Sequence, residues 1–524
     1  MGQKSDSTRI YIVFGCVLAA ATLIAWRLFT LSYVNHTIYA QTAEAQNENI
    51  SNIFVRGNIY LQDPTSSDDS HWYLVATNKK FEKDRNGQTE YETDRYYPAR
   101  SLAASVLGFF GYNSQGRAGQ YGIEAYFDSE LAGRAAAPAK KSDGQPIHGF
   151  WNIIKHYVSS ISIGNTNPDD ISARPADVVL TVDRNIQTFA EQALDKVLKK
   201  WNASGGTVIV QDPQTGKILA MADEPTFDPN AYSDSPPQNY LNKNVQQMFE
   251  PGSSFKPITM AMGLDLGKVT PDTTYTDPGV VTIAGKQIHN FDNQAHGTVS
   301  MTTVLEKSLN TGAMFVEDLV GDDNFLNYAI NFGFGQKTGI DLPGEVPGDI
   351  ANLYSGRKIN AATASFGQGI AVTPIQLITA YSAIANGGKL MKPYVVDRVI
   401  YEGGREEVTQ PEVVSIPISQ KTSDKLKTML VSVVNNGFDK ARIKGYDIAG
   451  KTGTAQIADG HGGYEDGVFI HDFLGFAPAN DPKFVILIKM DRPQGITFAS
   501  DSLSSTFRDI AQYLINYYNI PPTN

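Results

Sequence analysis

Residues 250–265 read Glu-Pro-Gly-Ser-Ser-Phe-Lys-Pro-Ile-Thr-Met-Ala-Met-Gly-Leu-Asp. Pro251 and Gly252 are typical of a helix start, and the mostly apolar residues after them predict a buried helix. Because Ser253 and Lys256 are three positions apart, their side chains share one face of that helix. Burial disfavours a charged lysine, so Lys256 should lose its proton more readily than an exposed lysine does. The stretch predicts a serine nucleophile at the positive end of a helix, with a lysine base beside it.

Two further strings follow along the chain: Ser-Leu-Asn at residues 308–310 and Lys-Thr-Gly-Thr at residues 451–454. The first offers a polar relay. The second joins a cation to small, strand-compatible residues, which suits a strand edge that a substrate backbone approaches closely. With Ser253 and Lys256, these strings supply a nucleophile, a base, a relay and a cationic binding strand. That set is the signature of penicillin-recognising serine acyl-transferases.

Two of the three strings occur twice, so the motifs alone do not identify the site. Ser355 and Lys358 repeat the Ser-x-x-Lys spacing, and residues 337–339 repeat Lys-Thr-Gly. The Ser355 copy lies in a polar stretch that would not exclude water. The Lys-Thr-Gly copy at residues 337–339 lies between a glycine-rich segment and a Pro-Gly turn, which is typical of a structural loop. Burial and strand character therefore favour Ser253 and Lys451 as the functional copies.

Composition excludes several classes of function. The chain has 524 residues, enough for two or three domains, and a formal net charge of −11, which argues against binding nucleic acid through its phosphates. Its single cysteine, Cys16, permits no intrachain disulfide and no thiolate metal cluster. The eight histidines show no ligand spacing of the HExxH kind. We therefore predict neither a metal nor a cofactor.

The N-terminal sequence predicts a membrane anchor. Residues 10–26 carry no charge, and Lys4 and Arg9 precede them. This pattern predicts a cytoplasmic tail at 1–9, an uncleaved transmembrane signal anchor at 10–30 and an extracytoplasmic remainder. A cleaved signal peptide and a buried core helix are the alternatives, and the bulky residues after the apolar run disfavour cleavage.

Beyond the anchor, the pattern predicts an N-terminal domain over residues 31–170 and a second domain over 171–524. In the second, we expect a strand, a helix capped by Asp183, a hairpin around a turn-rich loop, and a final strand and helix. These elements are predicted at residues 177–182, 184–198, 206–221, 484–490 and 506–518. Strands at both ends with helices between them indicate an α+β fold with one largely antiparallel sheet.

Landmarks outside the three strings make a family resemblance specific. Taken together, the chain resembles the class B penicillin-binding proteins, which are membrane-anchored D,D-transpeptidases of bacterial cell-wall synthesis. The landmarks are Arg56-Gly57-Asn58-Ile59, Tyr97-Pro98, Gly122-Ile123-Glu124, Asp212-Pro213, Thr215-Gly216, Gly367-Gln368-Gly369, Thr373-Pro374 and Phe473-x-Gly475-Phe476. The resemblance implies a penicillin-binding transpeptidase domain, in which helices and a helical subdomain flank a largely antiparallel sheet. It also implies an N-terminal pedestal domain and one transmembrane helix.

The resemblance also implies the chemistry. Ser253 would attack the penultimate D-Ala carbonyl of a stem peptide, release the terminal D-Ala and form an acyl-enzyme. Lys256 would be the base for acylation. The backbone N–H groups of Ser253 and Thr454 would form an oxyanion hole.

The resemblance assigns the remaining site residues to relay and substrate binding. Ser308 would relay protons, and Asn310 would hold the substrate amide. Lys451 and Thr452, together with Gly453 and Thr454, would bind the terminal carboxylate. Leu309 is bulkier than the residues often found at its position, so the fit of the acceptor is left open.

The implied partners are stem peptides ending in D-Ala-D-Ala, β-lactam antibiotics, a SEDS-type glycan polymerase, and other cell-wall or division proteins of the bacterial cytoplasmic membrane. The polymerase is implied because the sequence shows no second catalytic domain for glycan synthesis. The contexts of residues 250–253 and 367–369 favour a division-type over an elongation-type member. A D,D-carboxypeptidase, a β-lactamase and a catalytically inactive division scaffold are the alternatives.

Overall fold

A computed structural model describes residues 55–85, 88–114, 116–133, 174–459 and 463–523. They fall into two compact units: one holds Val55 and Asn78–Asp94, and the other holds Arg56–Thr77 and the described residues from Arg95 onward. The predicted tail at 1–9, the anchor at 10–30 and residues 135–170 lie outside the described residues. None of the helices within the described ranges is long and apolar enough to cross a bilayer.

Strands are numbered in chain order. They are β1 (Ile59–Gln62), β2 (Trp72–Arg85), β3 (Gln88–Tyr96), β4 (Phe109–Asn113), β5 (Gly116–Gln120), β6 (Asp177–Asp183), β7 (Gly205–Gln211), β8 (Ile218–Glu224), β9 (Thr274–Asp277), β10 (Val280–Ile283), β11 (Lys286–His289), β12 (Gly297–Ser300), β13 (Leu390–Met391), β14 (Val396–Ile400), β15 (Glu406–Val408), β16 (Val413–Ser415), β17 (Ala449–Ala458), β18 (Tyr464–Ala477) and β19 (Phe484–Asp491).

Helices are numbered in the same way. They are α1 (Ala104–Leu107), α2 (Gly122–Tyr126), α3 (Asp128–Leu131), α4 (Arg184–Lys200), α5 (Lys243–Gln246), α6 (Lys256–Asp265), α7 (Met301–Glu306), α8 (Asn310–Val320), α9 (Asp322–Asn331), α10 (Lys358–Ala364), α11 (Pro374–Ala385), α12 (Gln420–Gly437) and α13 (Ala499–Tyr517).

A five-stranded antiparallel sheet with the order β17-β18-β19-β7-β8 carries the site. Helices α4 and α13 pack on one face, where Phe507 of α13 closely approaches Gly475 of β18. Helix α11 packs on β19 and β7. Successive residues of β18 point alternately to the two faces of the sheet. Strand β7 is buried at every position, as expected for a strand covered on both faces. The predicted α+β fold with a largely antiparallel sheet is confirmed.

Local predictions in this region agree with the structure to within about three residues, except at the start of the last helix. The Asp183 carboxylate caps α4 by accepting from the N–H groups of Asn185 and Ile186. Helix α13 begins at Ala499, seven residues before the predicted start at 506. The early part is serine-rich and a poor helix former alone, but Ser502 is buried and hydrogen-bonded to His471 at 2.8 Å. Tertiary contact therefore extends the helix beyond its local pattern.

The predicted strand at 177–182 does not join the central sheet. As β6 it lies in a second sheet, parallel to β1 and antiparallel to β14. Its apolar residues are buried there because neighbours distant in sequence cover them. The expectation of one sheet was therefore wrong. Residues 56–77 and 95–133 share a compact unit with residues 174–523, while the division at 170/171 stays a prediction.

Three of the family landmarks meet in one buried ion cluster. The Glu124 carboxylate contacts Arg56 Nε at 2.7 Å and Arg95 Nε at 2.6 Å, and it accepts from the Tyr97 hydroxyl at 3.0 Å. Burial alone would raise the pKa of Glu124, but the charges of Arg95 and Arg56 hold it below its ordinary value. Landmarks at residues 56, 97 and 124 are thus parts of one structural element.

Candidate active site

A short 3₁₀ turn, Gly252–Phe255, holds the candidate nucleophile and leads directly into α6. Ser253 therefore lies just before the α-helix rather than inside it. Gly252 has φ +56°, a conformation that favours glycine, and its N–H donates to the Gly367 carbonyl at 3.0 Å. The buried Tyr381 hydroxyl donates to the Ser254 carbonyl at 2.6 Å. These contacts fix the turn that presents the Ser253 hydroxyl.

Lys256, the first residue of α6, is the predicted base. Its side chain is only 1% exposed, and its Nζ donates to Ser253 Oγ at 3.0 Å. The same Nζ contacts Ser308 Oγ at 3.1 Å and also donates to the Ser308 carbonyl. Burial, and then the nearby charge of Lys451, lower the pKa of Lys256 well below its ordinary value. Lys256 therefore loses its proton more readily than an exposed lysine, and its neutral amine can take the Ser253 proton.

Ser308 links the two lysines. It lies between α7 and α8 with φ +56°, a left-handed conformation that is uncommon for a residue with a Cβ. Its Oγ is 3.1 Å from Lys256 Nζ and 3.0 Å from Lys451 Nζ. A strained residue that bridges two buried lysines is the kind of backbone outlier that occurs at functional sites.

Lys451 is fully buried on the edge strand β17. Its Nζ donates to Ser308 Oγ and to the Thr452 carbonyl, and it lies 5.3 Å from the centre of the Phe438 ring. Burial lowers the pKa of Lys451 to about 7, while Asp472 opposes the shift. The charge of Lys451 therefore changes near physiological pH.

Gly453 packs β17 closely against the turn Gly252–Phe255, which carries the candidate catalytic residue Ser253 and is called the catalytic turn below. A Cβ added there would lie 2.6 Å from the Pro251 carbonyl oxygen and 2.2 Å from Asp472 Oδ2. On either side of it, Thr452 is buried, and the Thr454 hydroxyl accepts from the Ala499 N–H at 3.1 Å. The predicted substrate-binding strand thus lies directly beside the turn that carries Ser253.

Asn310 is placed differently from the other predicted residues. It begins α8, and its Nδ2 donates to the His289 carbonyl at 2.8 Å. The same loop is fixed by Asn290, whose Nδ2 donates to both oxygens of Asp277, at 3.0 and 2.8 Å. To hold a substrate amide, Asn310 would have to exchange the carbonyl of His289 for that of the substrate.

The groove beside Ser253 has a volume of about 220 Å³ and includes residues that the motifs did not indicate. Phe291 and Phe498 are both exposed and form an edge-to-face pair with ring centres 4.8 Å apart. Other lining residues without a motif signal are Asn290, Asp292, Glu306, Lys307, Phe438 and Ser500. They come from several loops and from helices α7 and α13, so only the fold brings them together.

The duplicate motifs have structural roles or are exposed. In the second Lys-Thr-Gly string, the Thr338 N–H and hydroxyl both donate to Glu345 at 2.6 Å, and the Gly339 N–H donates at 3.1 Å. The Glu345 carboxylate therefore already accepts from the donors that could otherwise bind a substrate carboxylate. Ser355 is exposed and donates to the Asn352 carbonyl at 2.6 Å. Within the described ranges, no three His, Cys, Asp or Glu side chains are grouped to hold a metal.

Comparison with known proteins supplies the family. The pattern described as "Penicillin binding protein transpeptidase domain" matches residues 206–512, more than half of the chain. The chain belongs to the class B penicillin-binding proteins. This confirms the resemblance predicted from the sequence, on the division-type side of the class.

Two curated relatives and one solved structure illustrate the relationship. The chain is 34% identical to stage V sporulation protein D of Bacillus subtilis over 79% of its own length, and 32% identical to PbpB of Mycolicibacterium smegmatis over 83%. It spans 63% and 66% of the lengths of these relatives. Penicillin-binding protein 3 of Mycobacterium tuberculosis in complex with aztreonam matches with a TM-score of 0.74 and 28% identity. That match covers 90% of this chain and 97% of the other.

Proposed function

We propose that this class B penicillin-binding protein is a serine D,D-transpeptidase that cross-links peptidoglycan stem peptides. The observation that carries the proposal is the buried Lys256 Nζ, 3.0 Å from Ser253 Oγ and joined through Ser308 to Lys451. A neutral amine in contact with a hydroxyl is the arrangement that nucleophilic catalysis requires. Assignment of the predicted roles to these residues is part of the proposal.

In acylation, the Ser253 oxygen attacks the penultimate D-Ala carbonyl while its proton passes to Lys256. The developing oxyanion is held by the backbone N–H groups of Ser253 and Thr454. The terminal D-Ala then leaves as an amine that takes a proton from Lys256 through Ser308. Lys451, Thr452, Gly453 and Thr454 hold the terminal carboxylate, since a buried ammonium binds a carboxylate strongly where water is excluded.

In the second half of the reaction, an amine from another stem peptide attacks the acyl-enzyme and forms the cross-link. Asn310 holds the donor amide after it exchanges its contact with His289. A β-lactam carries a strained amide in place of the D-Ala-D-Ala end and would leave Ser253 acylated. The aztreonam complex of the Mycobacterium tuberculosis protein supports this part of the proposal.

The proposed setting is the septal cell wall, outside the bacterial cytoplasmic membrane. The uncharged run at residues 10–26 supports an anchor, and the division-type relationship supports a septal role. A transpeptidase of this kind needs new glycan strands, which we propose come from a SEDS-type polymerase held next to it among other division proteins. An elongation role would be indicated instead if depletion of the protein stopped growth along the side wall.

A fluorescent penicillin tests the proposal. Acylation of Ser253 is expected, detected by intact mass and by mapping the labelled peptide, with loss of label in Ser253→Ala. Ser355→Ala is the matched control, because it removes the serine of the duplicate motif and should label normally. The absence of a stable adduct would support the inactive scaffold, and rapid turnover of the adduct would support a β-lactamase.

A second assay separates transpeptidation from hydrolysis. The protein is incubated with a pentapeptide donor ending in D-Ala-D-Ala and with an excess of an amine acceptor. Mass spectrometry should find the donor joined to the acceptor. Release of D-Ala with only hydrolysed donor would identify a D,D-carboxypeptidase.

A further inference from the structure

A carboxylate outside the three motifs lies directly behind the substrate-binding strand. Asp472 is on β18, paired with Gly453 of β17 on one side and with Lys489 of β19 on the other. It is fully buried, and its Oδ2 and Oδ1 lie 2.2 and 2.6 Å from the position of a Cβ on Gly453. The carboxylate therefore occupies the space that a side chain at residue 453 would fill.

The charged and polar groups around Asp472 come from several elements. Lys451 is on β17, and Lys489, 1% exposed, is on β19, where its Nζ also contacts Asp491. The catalytic turn contributes Ser254, whose hydroxyl donates to the Pro251 carbonyl at 2.7 Å. Tyr381 of α11, whose hydroxyl donates to the Ser254 carbonyl, interacts electrostatically with the same carboxylate. Among these neighbours the two lysines are the cations that can balance the charge of Asp472.

Neither Asp472 oxygen accepts a hydrogen bond of ordinary geometry from the described residues. Burial raises the pKa of Asp472 to about 7. The Ser254 hydroxyl, the charges of Lys451 and Lys489, and the Gly453 N–H oppose that rise. The two lysines therefore share the stabilisation of its negative charge with the polar groups of Ser254 and Gly453.

We propose that Asp472 is a positioning residue of the transpeptidase proposed above, and that its negative charge keeps the Lys451 side chain protonated. Asp472 raises the pKa of Lys451 against the effect of burial. A protonated Lys451 in turn helps to keep Lys256 neutral. One carboxylate behind the strand thus maintains a charged binding lysine and a neutral base in the same groove. This inference rests on the proposed function, since it concerns how that reaction depends on charge.

Asp223 provides a matched control within the same sheet. The pairs Asp472–Lys489, Lys489–Thr207 and Thr207–Asp223 form one row across four adjacent strands. Asp223 is also buried, and burial raises its pKa to about 6. It lies three strands from Asp472, or about 14 Å at the usual strand spacing, and it accepts from Asn244 Nδ2 at 2.8 Å.

The test measures the second-order rate constant of acylation by benzylpenicillin between pH 5 and pH 10 for the wild type, Asp472→Asn and Asp223→Asn. Without the negative charge the pKa of Lys451 falls, so the alkaline limb of the profile should move down by about one pH unit. Between pH 7 and pH 8 the rate constant should fall about tenfold. Below pH 6 the wild type and Asp472→Asn should converge, because Asp472 is then protonated. Asp223→Asn should keep the wild-type profile.

An alkaline limb in Asp472→Asn that coincides with the wild type would overturn the inference. Asp472→Ser is a second neutral variant with a smaller side chain, and it should show the same shift. If both variants fail to fold while Asp223→Asn folds, Asp472 is structural and the inference is also overturned. Failure of the wild type to become acylated would instead defeat the proposed function, so the two failures are distinguishable.

Discussion

Replacement of Gly453 by alanine should uncouple the binding strand from the catalytic turn. The new Cβ would lie 2.6 Å from the Pro251 carbonyl oxygen, and an ordinary contact of about 3.4 Å requires the two backbones to separate by about 0.8 Å. Overpacking of this kind costs about 1–3 kcal/mol of stability. A displacement near 1 Å at a reacting site costs about 100-fold in rate. We therefore expect Gly453→Ala to lower acylation by benzylpenicillin about 100-fold while most of the protein stays folded.

The control is Gly206→Ala in β7 of the same sheet. Its Cβ would lie 2.4 Å from the Lys489 carbonyl oxygen, so the clash with the backbone is comparable, but β7 is three strands from β17. Urea unfolding gives the loss of stability of each variant, and stopped-flow labelling gives the acylation rate per folded molecule. Both variants should lose stability, and only Gly453→Ala should lose rate. Equal acylation rates in the two folded variants would refute the reasoning.

Three further predictions concern single residues. Lys256→Ala should abolish acylation of Ser253 and leave the far-ultraviolet circular dichroism unchanged; normal labelling would refute its role as base. Ser308→Gly should be more stable than Ser308→Ala by about 1 kcal/mol, because only glycine adopts the left-handed backbone without strain. Ser308→Gly should therefore have the higher melting temperature, and equal melting temperatures would show that the backbone is not strained. Glu124→Gln should cost about 3–5 kcal/mol at pH 7. The pKa of Glu124 is lowered in the fold. The loss of stability should therefore be constant above about pH 5 and shrink as the pH falls below the ordinary glutamate pKa of about 4.3. Urea unfolding at several pH values measures this, and a loss that does not change with pH would argue against a charged Glu124.

The part of the site that local pattern determines was predictable. Spacing of three along a helical turn joins Ser253 to Lys256, and the apolar run after residue 256 indicates the burial that lowers the lysine pKa. The second Lys-Thr-Gly string differs from the first in its glycine and proline context, and the structure shows it bound to Glu345. These features depend on neighbours within a few residues.

The rest depends on which strands pair. Asp472 is 19 residues beyond Gly453, and only the register of β17 with β18 places the two side by side. The position of Asp472 directly before the apolar run 473–477 was the one available signal. The left-handed Ser308 and the contact of Asn310 with His289 have no sequence signal, because each is imposed by packing of distant loops. Strand β6 was found but assigned to the wrong sheet for the same reason.

The pairing of β1 with β6 limits how this chain can be divided or recombined. The N–H and C=O groups along one side of β6 are satisfied by a strand more than a hundred residues earlier. A fragment that starts at residue 174 would leave that side as an open apolar edge, the kind of surface on which other chains add strands. A chimaera that takes its catalytic part from one relative and its N-terminal part from another must therefore combine a β1 and a β6 that can pair with each other. Exchange between relatives should succeed where residues 56–133 and 174–523 are inherited together.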